Sequence, residues 1–106
     1  MSEGRNKIFK AIADPTRREI FHVLVIGSAL SISQLSTQFN MSRQGVTKHL
    51  KLLEEAKMVT IQAKGRERYC EASLESLQEI KDWLSFYDVF WNNKLKALGD
   101  HLDQMT

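Results

Sequence analysis

The sequence predicts a mainly α-helical fold with one small β-hairpin, and three observations carry that prediction. Residues 31 to 53 divide into two short amphipathic helices around a tight turn. The period then changes from helical to alternating across residues 58 to 72. From residue 74 to 104 a single apolar stripe continues without a break, which is long for a chain of 106 residues.

The elements follow in order. Ile8, Phe9 and Ile12 outline a first helix that should end before Asp14-Pro15, because the residue ahead of a proline resists the helical region. Asp14 can then cap a second helix with Pro15 at its first position. That helix carries Ile20, Phe21, Leu24 and Val25 on its stripe, and Gly27 offers a stop. Ser31 and Gln34 have the spacing of a reciprocal capping pair, so a third helix starts there with Ile32, Leu35 and Phe39 on one face. Asn40-Met41 interrupts it and Ser42 caps again. A fourth helix over residues 42 to 56 aligns Val46, Leu50, Leu53 and Ala56.

The outward face of that fourth helix carries Ser42, Arg43, Gln44, Thr47, Lys48, His49 and Lys51. Arg, Gln, Thr and His can hydrogen-bond base edges, whereas Lys and Ser more often hold phosphate. Gly45, in the first turn, costs roughly 1 kcal/mol of helix propensity relative to alanine. Close approach of the backbone to a groove wall would compensate; so would simple tolerance near a helix end. Two short helices with this decoration form a helix-turn-helix.

Next, Met58 to Ala63 and Arg68 to Ala72 alternate and are rich in strand formers, on either side of Lys64-Gly65-Arg66-Glu67. A two-stranded hairpin bearing Lys64, Arg66 and Arg68 follows. Directly after a helix-turn-helix, such a basic hairpin is a wing that can lie along phosphates or enter a minor groove.

Ser73 is placed to cap one last helix, about 45 Å long at 1.5 Å per residue. Its Leu77, Ile80, Leu84, Tyr87, Trp91, Leu95, Leu98 and Leu102 alternate spacings of three and four, and Trp83, Phe86, Val89 and Phe90 widen the stripe. The short helices cannot cover so long a surface. A homodimer is therefore expected, with Leu84, Tyr87, Trp91, Leu95 and Leu98 in its seam, joined by Ile8, Phe9 and Ile12. Residues 1 to 106 form one domain in this account, with 1 to 13 and 74 to 104 as dimerisation helices.

Charge distribution supports contact with nucleic acid more than total charge does. The formal net charge is only +2. Residues 42 to 68 nevertheless carry seven Lys or Arg against three acids, while residues 74 to 106 carry three against six. One region suits phosphate and the other avoids it. No run of apolar residues approaches a membrane span or a signal peptide, and a lone cysteine, Cys70, forms no internal disulfide. A cytoplasmic protein without a membrane partner is the expectation.

With these pieces in view, the chain resembles the ArsR-type family of winged-helix repressors. The resemblance runs through IFKAIADPTRREIFHVL and through ISQLSTQFNMSRQGVTKHLKLLEEAKMVTIQAKGRERYCEA, with Ser42, Val46, Thr47, His49, Leu50, Leu53, Ala56, Met58 and Val59 in its pattern. It implies a homodimer on a pseudo-palindromic operator in double-stranded DNA, with base reading by Arg43, Gln44, Thr47 and His49. Ser42 and Lys48 would sit at phosphate or the groove edge, and Lys64, Arg66 and Arg68 in the wing. Many members release DNA when a signal binds, so a small-molecule effector is compatible with the resemblance. The chain departs from metal-sensing members: residues 35 to 39 hold no cysteine, and the last helix offers only His101 beside Asp100 and Asp103. No metal, no cofactor and no catalytic residue is assigned, and the metal-free branch is the nearer match.

Other readings compete. A winged-helix module could bind a protein through its aromatic last helix and ignore DNA. A thiol sensor could work through Cys70 if Arg68 lowered its pKa, and a metal could bridge two subunits. His49 could titrate near neutrality and tune affinity. An enzyme is not supported, because no phosphate loop, Ser/His/Asp set or carboxylate pair has a supporting context.

Overall fold

Six helices and a three-stranded antiparallel sheet make up residues 3–105, the part of the chain described by the computed structural model. Residues 1, 2 and 106, included in the expected domain, lie outside the described residues. The order is α1 (Glu3–Ile12), α2 (Pro15–Ile26), β1 (Leu30–Ser31), α3 (Ile32–Phe39), α4 (Arg43–Glu55), β2 (Val59–Lys64), β3 (Glu67–Ala72), α5 (Leu77–Phe86) and α6 (Asp88–Met105).

Local chemistry sets most of these boundaries. The Asp14 carboxylate accepts the backbone N–H of Arg17 at 3.0 Å and starts α2. At α3 the capping pair closes both ways: Gln34 N–H donates to Ser31 Oγ at 3.0 Å, and Ser31 N–H to Gln34 Oε1 at 2.8 Å. Asn40 then takes left-handed backbone, φ 50°, and Met41 N–H returns to the Ser36 carbonyl at 3.0 Å. Asparagine tolerates that conformation better than most residues, which makes the α3–α4 turn tight. Ser42 caps α4 by accepting from Gly45 N–H at 3.0 Å. The same left-handed closure recurs after α4, where Lys57 has φ 60° and Met58 N–H donates to the Leu53 carbonyl at 2.9 Å.

The core forms where the stripes of α1 to α4 meet the inner face of the sheet. Ile20, Leu35, Val46, Leu50, Leu53, Met58, Val59 and Cys70 are fully buried. Each large aliphatic side chain so buried contributes about 1.5–3 kcal/mol, so the α4 stripe firmly determines which face of that helix looks out. The sheet order is β1-β3-β2, with Leu30 opposite Cys70 and Ile61 opposite Cys70 on its other side. Strand β1 was not expected. Two residues are too few for a period to show, and only their pairing with β3 makes them a strand.

The last helix differs from the sequence expectation. It begins at Leu77 rather than just after Ser73, and it is interrupted at Tyr87, whose N–H bonds to the Leu84 carbonyl at 2.9 Å. Ser85 Oγ donates back to the Lys81 carbonyl at 2.8 Å one turn earlier, a contact that bends helices by competing for the backbone acceptor. Residues 84 to 105 are all exposed. The radius of gyration is 19.0 Å and the longest extent 66 Å, against about 13 Å for a compact chain of 100 residues. The second half of the long helix therefore projects away from the core. Among the described residues, no helix is long and apolar enough to cross a membrane.

Candidate nucleic-acid interface

The buried stripe of α4 turns the opposite side of the helix outward. Ser42, Arg43, Gln44, Thr47, Lys48 and Lys51 are all exposed there. Thr47 Oγ1 donates to the Arg43 carbonyl at 2.7 Å, leaving the oxygen lone pairs and the methyl group toward solvent. At Gly45 a Cβ would stand 3.2 Å from both Met41 Cε and the capping Ser42 Oγ, closer than ordinary van der Waals contact. Its small size relieves the Met41 side chain and the cap at the α3–α4 turn.

His49, expected among the base readers, is less exposed than its neighbours on that face. Its ring is half-buried, with Nδ1 3.4 Å from Arg17 Nη1 and 4.0 Å from Asp14 Oδ2. The side chain ties α4 to the corner between α1 and α2. Arg17 makes that corner, donating through Nε to the Ala11 carbonyl at 2.7 Å and through Nη2 to the Lys10 carbonyl at 3.1 Å. Arg18 Nη1 adds the Ile12 carbonyl at 2.6 Å. These two arginines satisfy the unpaired end of α1 and were not singled out from sequence. Basic residues just past a helix end were the available signal. The Arg17 contact, largest among its causes, holds the Asp14 carboxyl below its ordinary pKa.

The hairpin stands beside α3 and α4. Its two-residue turn puts Gly65 at φ 65°, while Arg66 stays at negative φ. That is the type II′ pattern, whose twist matches the flanking strands. Lys64, Arg66 and Arg68 are exposed around it. Glu67 reaches back from the hairpin: its Oε1 and Oε2 accept from Ser33 Oγ at 3.1 and 3.4 Å, and Oε2 lies 3.8 Å from Arg43 Nη2. Sequence reasoning did not find Glu67, because its partners lie far away along the chain.

Two sensing chemistries meet different conditions here. Cys70 is fully buried, and burial, reinforced by the Glu54 charge, pushes its thiol up to about 11. This is opposite to the lowering expected from Arg68, so the reactive thiolate that a sensor needs is disfavoured. Among the described residues, no group of three or more His, Cys, Asp or Glu side chains could hold a metal ion.

Of the expected seam residues, Ile8 is instead consumed by the core of its own protomer, whereas Phe9 and Ile12 stay partly exposed. Phe9 meets Trp83 edge-on at 5.2 Å, and Trp83, Tyr87, Phe86 and Phe90 continue as successive ring contacts of 5.1–6.5 Å. Beyond them Trp91, Leu95 and Leu98 remain exposed.

A helix pair around a tight turn, followed by a basic hairpin on a shared core, defines a winged helix-turn-helix DNA-binding protein. The chain belongs to the ArsR-type family of such transcriptional regulators. Residues 12–62 match a family model described as a helix-turn-helix domain. The transcriptional repressor SdpR of Bacillus subtilis is 33% identical over 74% of this chain and 87% of its own length. The HTH-type regulator YuzN of the same species is 35% identical over 79% of this chain and 99% of its own. Among solved structures, an ArsR-like transcriptional regulator from Rhodococcus sp. RHA1 is 30% identical and superposes with a TM-score of 0.75, over 97% of this chain and 94% of its own. A winged helix-turn-helix domain from Mycobacterium bovis, described as homodimeric, shares the fold at 17% identity, with a TM-score of 0.63 over 90% of this chain and 84% of its own.

Proposed function

We propose that this regulator is a repressor that binds a pseudo-palindromic operator as a homodimer. The observation that carries the reading is the exposed row of Arg43, Gln44, Thr47, Lys48 and Lys51 on a helix whose other side is locked into the core, beside a basic hairpin. Arg43, Gln44 and Thr47 read base edges, Ser42, Lys48 and Lys51 hold phosphate, and Lys64, Arg66 and Arg68 follow the backbone in the adjacent groove. SdpR, named as a transcriptional repressor, supports the sign of regulation.

The dimer reading rests on exposed apolar area. Residues 3 to 13 and 74 to 104 act as dimerisation segments, with Leu84, Tyr87, Trp91, Leu95 and Leu98 in the seam, since side chains such as Trp91, 61% exposed, would otherwise stay in water. Two copies of α4 then enter successive major grooves about 34 Å apart. The test is selection of fragments from a genomic pool, followed by titration of the retained fragment across salt. A repressor of this kind retains one or a few promoter fragments and loses affinity steeply as salt rises. Retention without sequence preference, insensitive to salt, defeats the reading.

A further inference from the structure

One side chain of the hairpin breaks its charge pattern. Within Lys64-Gly65-Arg66-Glu67-Arg68, Glu67 places a carboxylate among cations, on a surface where an acid opposes phosphate. Yet this carboxylate is held from two sides. Ser33, near the start of α3, donates to both of its oxygens, and Arg43, the first residue of α4, faces it at 3.8 Å. Across the ladder it stands opposite Lys64. Glu67 thereby joins the helix before the turn, the helix after it and the wing. A half-exposed ion pair adds little to stability, so stability does not account for the contact with Arg43.

We propose that Glu67 is a specificity-determining residue of the DNA site, acting as a positioning residue for Arg43; this rests on the DNA-binding reading above. The guanidinium has five N–H donors in a rigid fork, and the contact with Glu67 uses Nη2, leaving other donors for a base edge. A tethered Arg43 reaches a base in one orientation. A freed one swings to the nearest phosphate and adds affinity for any sequence. Where the correct base is missing, Arg43 gains nothing and the Glu67 charge still repels the backbone, so the wrong sequence is penalised while the right one is rewarded.

The experiment compares wild type, Glu67→Gln, Arg43→Ala and the double variant, each titrated on the selected fragment and on a scrambled fragment of equal length. Glutamine keeps the size and an acceptor for Ser33, and thermal melting checks the fold. Glu67→Gln should bind the scrambled fragment about two- to fivefold more tightly, with a salt slope steeper by up to about 1, and its ratio of specific to scrambled affinity should fall. In the Arg43→Ala background the same change should leave that ratio unaltered. An unchanged ratio in Glu67→Gln, or an equal fall without Arg43, overturns the role of Glu67 alone. If Glu67→Gln does not fold, Ser33→Ala, which loosens the carboxylate without removing it, must lower the ratio in its place. A wild type that treats both fragments alike overturns both this role and the DNA reading.

Discussion

Arg17 and Cys70 show how single residues acquire roles through their surroundings. Arg17 closes the end of α1 through two carbonyls while facing His49 of α4. Arg17→Ala removes the partner of the part-buried Ala11 carbonyl, and a loss of about 1–3 kcal/mol is expected in urea unfolding. Cys70 should resist alkylation in the folded protein at neutral pH and react once the chain is unfolded. Because its folded pKa is raised to about 11 from an ordinary value of 9.0, the folded state holds a proton that the unfolded state loses. Its contribution therefore falls as pH rises from about 9 toward 11. Asp14 has the opposite sign: its lowered pKa stabilises the fold above the ordinary carboxylate range, and that contribution is lost as acid protonates it. Urea midpoints measured at both pH extremes check both directions.

At the scale of elements, the helix starts were the most legible feature, since Asp14, Ser31 and Ser42 cap the helices that their spacing announced. Ser31→Ala should cost about 1 kcal/mol, read as a lower urea midpoint. The hairpin was legible too, although its geometry adds a demand at Gly65. Alanine there meets no steric neighbour but must adopt φ 65°, so Gly65→Ala is expected to destabilise by about 1–2 kcal/mol from backbone strain alone. In DNA binding, Lys64→Ala should weaken affinity evenly across sequences and reduce the salt slope by about 1, whereas Arg43→Ala should relax one base preference by roughly 1–3 kcal/mol. The break at Tyr87 was not legible. No proline or glycine stands near it, and the apolar stripe runs on across it.

At the scale of the whole molecule, a compact winged-helix body carries a projecting arm that is apolar and uncovered. Leu95→Glu places a charge at the centre of that arm without touching the protomer's core, as Leu95 is 49% exposed. Sedimentation should then show a monomer whose thermal melt is little changed at the hairpin and α1–α4, and operator affinity should collapse because one copy of α4 acts alone. A Leu95→Glu protein that remains dimeric would move the seam elsewhere.

The sequence by itself determined the helix-turn-helix, the hairpin, the inward stripe of α4 and hence its outward face, because capping and periodicity join residues only a few positions apart. Tertiary structure alone decided β1, the inward turn of His49 and the reach of Glu67. Their partners lie far apart along the chain, 32 residues for Arg17 and His49 and 34 for Ser33 and Glu67. No local pattern encodes such a distance; it appears only when the buried stripes have docked the helices and the sheet against one another.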